Sequence, residues 1–481
     1  MTQDNRPARP SGRPPEGEPR QSRSEALLRG PLLLFFVSSV LWLLAASVLA
    51  VIISLEQGSL SGGPFRDSEI LTYGRLVAVQ HNLFLYGWGC NAFFALNLWL
   101  LSQLGRFEFR NGWLATLGGA AWNLALTYGV VQIFAGQQNG FSLMEFSREV
   151  GLVLTAAFLL AGFWPIVAFA RRPTGHTFAS QWYVVGASFA FPLIYLLAQL
   201  LILWMPASGV VQAIAHSWFV SNLLLLWFGA SALAAVYYFL PKLLGRTISG
   251  YTLAPVGFWT FFLFASWTGP AALLGAPVPL WVQSLGVVAG AMLLLPVIII
   301  AINFHGTLSS AGGWARAWND TTLRFVSFGA VAFTLYGVLA AAFSLRDSNA
   351  LVRFTSFAAG QEQLLTYAFA TMVLFGAAYF VLPRLTGSLW PSAKLVHLHF
   401  WATALGVAAT LVALLGGGWQ EGALLKDATV KLPEVIRAGS AWYPVLTAAA
   451  LLLLLGHVAF ALNAFGMILK STSAASVGRH D

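Results

Sequence analysis

Charge is what this chain has least of. Asp, Glu, Lys and Arg make up 9% of its 481 residues, against 58% hydrophobic. A water-facing surface needs far more charge than that, so a soluble domain is excluded and lipid is the solvent for most of the chain. Cysteine is nearly absent as well. The lone Cys90 sits inside an apolar run, which excludes a disulfide framework and a Cys-based metal site and suits a small buried hydrophobe. No short internal repeat is visible. Residues 1–30 lack large apolar groups almost entirely and are rich in Pro, Arg, Gly, Ser and Glu. Such a stretch cannot bury enough surface to fold, and it reads as a disordered tail. It has neither the short basic start nor the small-residue cleavage site of a signal peptide, so the long apolar run behind it reads as an uncleaved first helix.

What is present is apolar sequence in membrane-length runs. Twelve spans are expected, at 31–54, 78–103, 113–135, 149–170, 181–204, 213–240, 253–273, 282–303, 323–345, 357–382, 396–416 and 441–469. The fold class is therefore all-α, a polytopic membrane bundle over 31–470 with a short tail at 471–481. The net charge of +9 bears on orientation rather than on nucleic acid. With a cytoplasmic amino terminus, the inner connections hold Arg106, Arg110, Arg171, Arg172, Lys242, Arg246, Arg316, Arg384, Lys394, Lys470 and Arg479. The outer connections 205–212 and 271–281 hold no Lys or Arg; Arg66, Arg75, Arg148, Arg346, Arg353, Lys426, Lys431 and Arg437 run against the trend. The balance places both termini in the cytoplasm, in an inner membrane. The stretch 417–440 reads as the one loop large enough for an external docking surface.

Three adjacent polar residues, Gln361-Glu362-Gln363, interrupt the apolar run FAAGQEQLLTYAFATMVLFGAAYFVLPRL at 357–385. At about 100° per residue, positions 361 and 363 stand about 200° apart and address two cavities on opposite sides of one helix.

Several phrases together resemble the catalytic subunit of the cbb-type (C-family) cytochrome c oxidases in the haem-copper oxidase superfamily: LTYGRLVAVQHNLFLYGWGCNA at 71–92, SNLLLLWFGASALAAVYYFLPK at 221–242, GFWTFFLFASWTGPAALL at 257–274, INFHGTLS at 302–309, GQEQ at 360–363, VLPRLTG at 381–387 and HFWATALG at 399–406. They fall in order over most of the chain, and the resemblance implies a twelve-helix fold. It also implies that six histidines and a tyrosine should do the chemistry. The matching low-spin haem positions are Gln80 and Gln363, the oxygen-site haem position is Gln361, the copper positions are Ser221, Ala271 and Ala272, and the tyrosine position is Ala265. All seven are substituted. A neutral amide is a far weaker iron donor than His, Met, thiolate or Tyr, and copper gains nothing from a Ser and two Ala. No metal and no cofactor is expected; haem b is the alternative.

The other histidines offer no rescue by position. His81 points about 100° away from Gln80, His216 precedes Ser221 by five residues, His305, His397 and His399 are expected near cytoplasmic helix ends, and His176, His457 and His480 lie in a loop, a late span and the tail. The three glutamines are expected to satisfy one another or backbone carbonyls, as buried amides do; the sharper alternative is a polar cavity inherited from the haem pockets. Glu362 is more informative, because an ionisable group inside a span is costly, and it reads either as reaching the headgroups or as a proton or cation site. His81 joins it as a candidate for that cavity, against a bland role as a buried hydrogen-bonding imidazole. With 19 Trp and 37 Phe, aromatic and aliphatic side chains are expected to fill the vacated haem space. The reading that follows is a cofactor-free structural or assembly subunit of a respiratory membrane complex. The resemblance implies a membrane-anchored c-type cytochrome as its partner. An active terminal oxidase and a proton or solute conduit are the alternatives.

Overall fold

The computed structural model describes residues 23–58, 65, 67–105, 109, 112–173, 175, 177–310 and 312–477. Among them there is no strand, and twelve helices are long and apolar enough to cross a membrane. They are α1 (Leu27–Gly58), α2 (Tyr73–Gly105), α3 (Gly112–Phe134), α4 (Arg148–Ala170), α5 (Ala179–Trp204), α6 (Val210–Leu244), α7 (Tyr251–Leu273), α8 (Leu280–Ser310), α9 (Thr321–Ala342), α10 (Ser356–Thr386), α11 (Ala393–Leu425) and α12 (Leu432–Ser471). Each overlaps one expected span.

Two ends differ from expectation. Helix begins at Arg23, so residues 23–30 belong to the helix that carries α1 rather than to a tail. At the other end helix continues to Val477, because the Ser and Ala of 471–476 contain no breaker to stop it. Residues 1–22 lie outside the described residues, as do Arg66, Arg106, Arg110, His176, Arg479 and His480.

Burial separates the helices into two classes. The most apolar stretches of α2, α6 and α10 are 100%, 94% and 94% buried, against 33–50% in the other nine. Three helices thus form a centre and nine form a lipid-facing wall, where exposed Leu, Val and Trp are the expected surface. The central three are tied by polar contacts that apolar packing alone would not fix. Trp227 Nε1 of α6 donates to Cys90 Sγ of α2 at 3.3 Å, Asn97 Nδ2 of α2 to Ser231 Oγ of α6 at 3.0 Å, and Trp88 Nε1 of α2 to Thr371 Oγ1 of α10 at 3.1 Å. Cys90 is fully buried and free, the role expected of it.

Each central helix also widens into a π-helical segment, over Leu83–Cys90, Leu223–Gly229 and Leu364–Thr371. Side chains help to satisfy the displaced carbonyls: Asn91 Nδ2 donates to Gly87 O at 2.7 Å and Thr371 Oγ1 to Thr366 O at 3.0 Å. Each segment starts within three residues of Gln80, Ser221 or Gln363. Single-turn π insertions of this kind frequently accompany functional sites.

The stretch 417–440 is not a loop. Helix covers Gly417–Leu425 and Leu432–Ser440. Its glycines allow close contact, since a Cβ on Gly418 would lie 2.0 Å from Phe357 N and one on Gly422 2.1 Å from Leu351 O.

Candidate functional site

Position 363 lines one cavity and position 361 another, with helix α10 between them. The first cavity, of about 200 Å³, lies among α1, α2, α10, α11 and α12, and Gln80 of α2 faces into it beside Gln363. Phe84 and Tyr367, each four residues beyond one of these glutamines, stack at 5.2 Å between ring centroids with 9° between planes. The i, i+4 relation puts each ring one turn along from its glutamine.

His457 of α12 also lines this space. Its Nδ1 is 2.6 Å from Ser47 Oγ, and its Nε2 is hydrogen-bonded to the Tyr367 hydroxyl. The expectation that no histidine converges here is corrected: α12 crosses α1 closely enough to bring His457 to the cavity. An ionisable group in the middle of an apolar span was the sequence signal that could have found it. Among the described residues, no Asp, Glu, Lys or Arg lines this cavity.

The second cavity, of about 470 Å³, collects Gln361, Glu362, Ser221, Ala271 and Ala272, together with His216, Tyr336 and Arg353. Ser221 Oγ is 2.5 Å from Thr268 Oγ1. Arg353 Nε donates to Ala272 O at 3.0 Å, and burial lowers its guanidinium from the usual arginine range. His216 reaches the same space as Ser221, with Nε2 2.9 Å from Ser142 O, although the five-residue offset from Ser221 predicts a different helix face. The connection 135–147 folds in beside the amino end of α6 and supplies that carbonyl.

Three further expectations change. Gln80, Gln361 and Gln363 do not satisfy one another or the backbone: their amides face the cavities, and among the described residues none of these side chains makes a hydrogen bond. Aromatic side chains line both spaces without closing them, and cavities of about 200 and 470 Å³ remain. His81, one residue on from Gln80, lines neither cavity, because the 100° step turns it away. Ala265 is fully buried in α7 and lines neither. Of the remaining histidines, His399 is buried with Nδ1 2.9 Å from the Tyr379 hydroxyl, and His305 Nε2 is 2.9 Å from Thr334 Oγ1.

Glu145, which the sequence did not single out, is 7% exposed on the connection between α3 and α4. Asn82 Nδ2 donates to its Oε2 at 2.8 Å. Burial pushes this carboxyl above the usual range, and the hydrogen bond from Asn82 opposes that only in part.

The chain matches the family described as Cytochrome C and Quinol oxidase polypeptide I over residues 31–455. It is similar to cytochrome c oxidase subunit 1 of Rhodobacter capsulatus, at 23% identity over 96% of this chain and 89% of the relative. It is likewise similar to a cbb3-type cytochrome c oxidase subunit of Stutzerimonas stutzeri, at 23% identity over 81% and 82%. In shape it is similar to a heme-copper terminal oxidase solved as a dimer by cryo-electron microscopy, with a TM-score of 0.73 at 13% identity, covering 94% of this chain and 85% of that one. At that identity the likeness is one of fold.

Proposed function

The chain belongs to the Cytochrome C and Quinol oxidase polypeptide I family, and from that premise we propose that it is a non-catalytic subunit, structural or assembling, of a respiratory membrane complex. The observation that carries the reading is the donor set. Where the resemblance puts imidazoles on iron, the first cavity offers the amides of Gln80 and Gln363. The one histidine there, His457, has both ring nitrogens committed to Ser47 and Tyr367. An imidazole so held has no free lone pair aimed at a porphyrin, and an amide is a poor substitute. The uncharged lining also provides no cation for a porphyrin's carboxylates.

Copper fares no better in the second cavity. Ser221 is tied to Thr268, Ala271 and Ala272 present only methyl groups, and His216 alone is not a copper site. Among the described residues, no three His, Cys, Asp or Glu side chains stand together. The residues present do not fit haem or copper, and no redox step is assigned to them.

A membrane-anchored c-type cytochrome is the partner this reading favours, with both termini of the chain in the cytoplasm. Affinity capture of the full chain in mild detergent is expected to recover such a haem-bearing subunit in stoichiometric amount. Capture of the chain with no respiratory subunit, or oxygen consumption by the purified chain supplied with reduced cytochrome c, would count against it. A conduit is the second reading, favoured by one observation: a carboxylate and a guanidinium, Glu362 and Arg353, face the same intramembrane space.

A further inference from the structure

We propose that the second cavity is a binding site for a small organic ammonium ion, with the Glu362 carboxylate as its counter-charge. The inference rests on the preceding reading in one respect, that no haem fills this space. Glu362 lies in the second turn of α10 and its side chain lines the cavity. Among the described residues its carboxylate accepts no hydrogen bond and forms no ion pair, although its backbone carbonyl accepts from Thr366 Oγ1 at 2.8 Å; the Glu421 carboxylate, by contrast, accepts from Ser356 through both oxygens at 2.8 Å. A carboxylate inside a membrane bundle calls for a partner of opposite charge. Arg353 lines the same cavity, but its Nε is spent on Ala272 O and it makes no ion pair with Glu362. The guanidinium is thus partly satisfied by the protein, and the carboxylate is not.

The surroundings decide the class of cation. A bare metal ion needs several oxygens converging at about 2.0–2.6 Å, and no cluster of three acidic, His or Cys side chains exists among the described residues. The space is about 470 Å³, within the range of roughly 300–1,000 Å³ usual for small organic ligands. Tyr336 and Phe343 line it, and aromatic faces attract alkylammonium groups. The Gln361 amide, also without a protein partner, stands beside the carboxylate as a neutral acceptor. Arg353 repels a second positive charge, which restricts the ligand to a monocation held at the Glu362 side.

The test uses the purified full chain in detergent at pH 8, with tetramethylammonium or choline chloride titrated against sodium chloride at matched ionic strength. The readouts are the thermal unfolding midpoint and tryptophan fluorescence. Wild type is expected to show a saturable rise in midpoint with either ammonium salt and none with sodium. Glu362→Gln is expected to weaken the apparent affinity about tenfold or more, Glu362→Asp to retain part of it, and Glu434→Asn, on an exposed helix, to leave it unchanged. Arg353→Gln is expected to tighten it. The proposal is overturned if Glu362→Gln binds like wild type, if sodium reproduces the effect, if wild type shows no saturable response, or if Arg353→Gln abolishes binding, which would mark an anion site. Haem content of the same sample separates the two readings: stoichiometric haem contradicts the proposed function, while haem-free protein without an ammonium response contradicts this inference alone.

Discussion

Glu145 and His457 show what single residues do when a charged or polar group is enclosed in this bundle. For Glu145, burial raises the carboxyl's pKa, so the folded chain holds its proton to higher pH than the unfolded chain. Stability is therefore lost as pH rises from the usual Glu value of about 4.3 through the raised one. Glu145→Gln keeps an acceptor for Asn82 and removes the ionisation. Its unfolding midpoint is expected to fall less than that of wild type between pH 5 and pH 8, and parallel curves would contradict the assignment. For His457, replacement by Phe leaves the buried Tyr367 hydroxyl without its partner. A loss of about 1–3 kcal/mol is expected, read as a lower midpoint in thermal or denaturant unfolding, and an unchanged midpoint would contradict it. Neither residue was prominent in the sequence. That positions 361 and 363 serve two cavities was legible because the GQEQ phrase sets them two residues apart on one helix. The partners of those positions were not, since His457 is 94 residues beyond Gln363 and only the crossing of α12 over α1 joins them.

Among the elements, the three central helices were legible as long apolar runs, but their centrality was not. Composition does not distinguish a helix buried on all sides from one facing lipid, because both are apolar all round. The π-helical segments were hidden for a related reason: a uniform 100° step predicts the directions of 361 and 363, which precede the widening, and fails beyond it. The reading of 417–440 as a loop failed because its two helices, Gly417–Leu425 and Leu432–Ser440, are only nine residues each. Gly418 and Gly422 permit close backbone contact with Phe357 at the amino end of α10 and with Leu351 in the short helix Arg346–Val352. Gly418→Ala is therefore expected to push α11 off Phe357 and lower stability by about 1–3 kcal/mol, the usual cost of overpacking. The same change at Gly416, where the nearest atom to a Cβ is 3.7 Å away, should be nearly neutral. Thermal midpoints of the two variants test the contrast, and equal midpoints would contradict it.

For the whole molecule, twelve helices and the order of their motifs were legible because lipid forces every span to be long and apolar. The proposed orientation, with both termini in the cytoplasm, rests on the cationic connections Arg171, Arg172, Lys242, Arg246, Arg316, Arg384 and Lys394. Carboxyl-terminal fusions are expected to give a fluorescent green fluorescent protein and an inactive alkaline phosphatase, and the opposite pair would invert the bundle. The central proposal is that this chain of the family keeps two open cavities whose described lining residues do not grip iron or copper. The most direct test is a pyridine-haemochrome spectrum with copper analysis on the purified full chain. The expected result is far less than one haem and one copper per chain, with no Soret band from bound porphyrin. A stoichiometric, protein-bound b-type haem would contradict it.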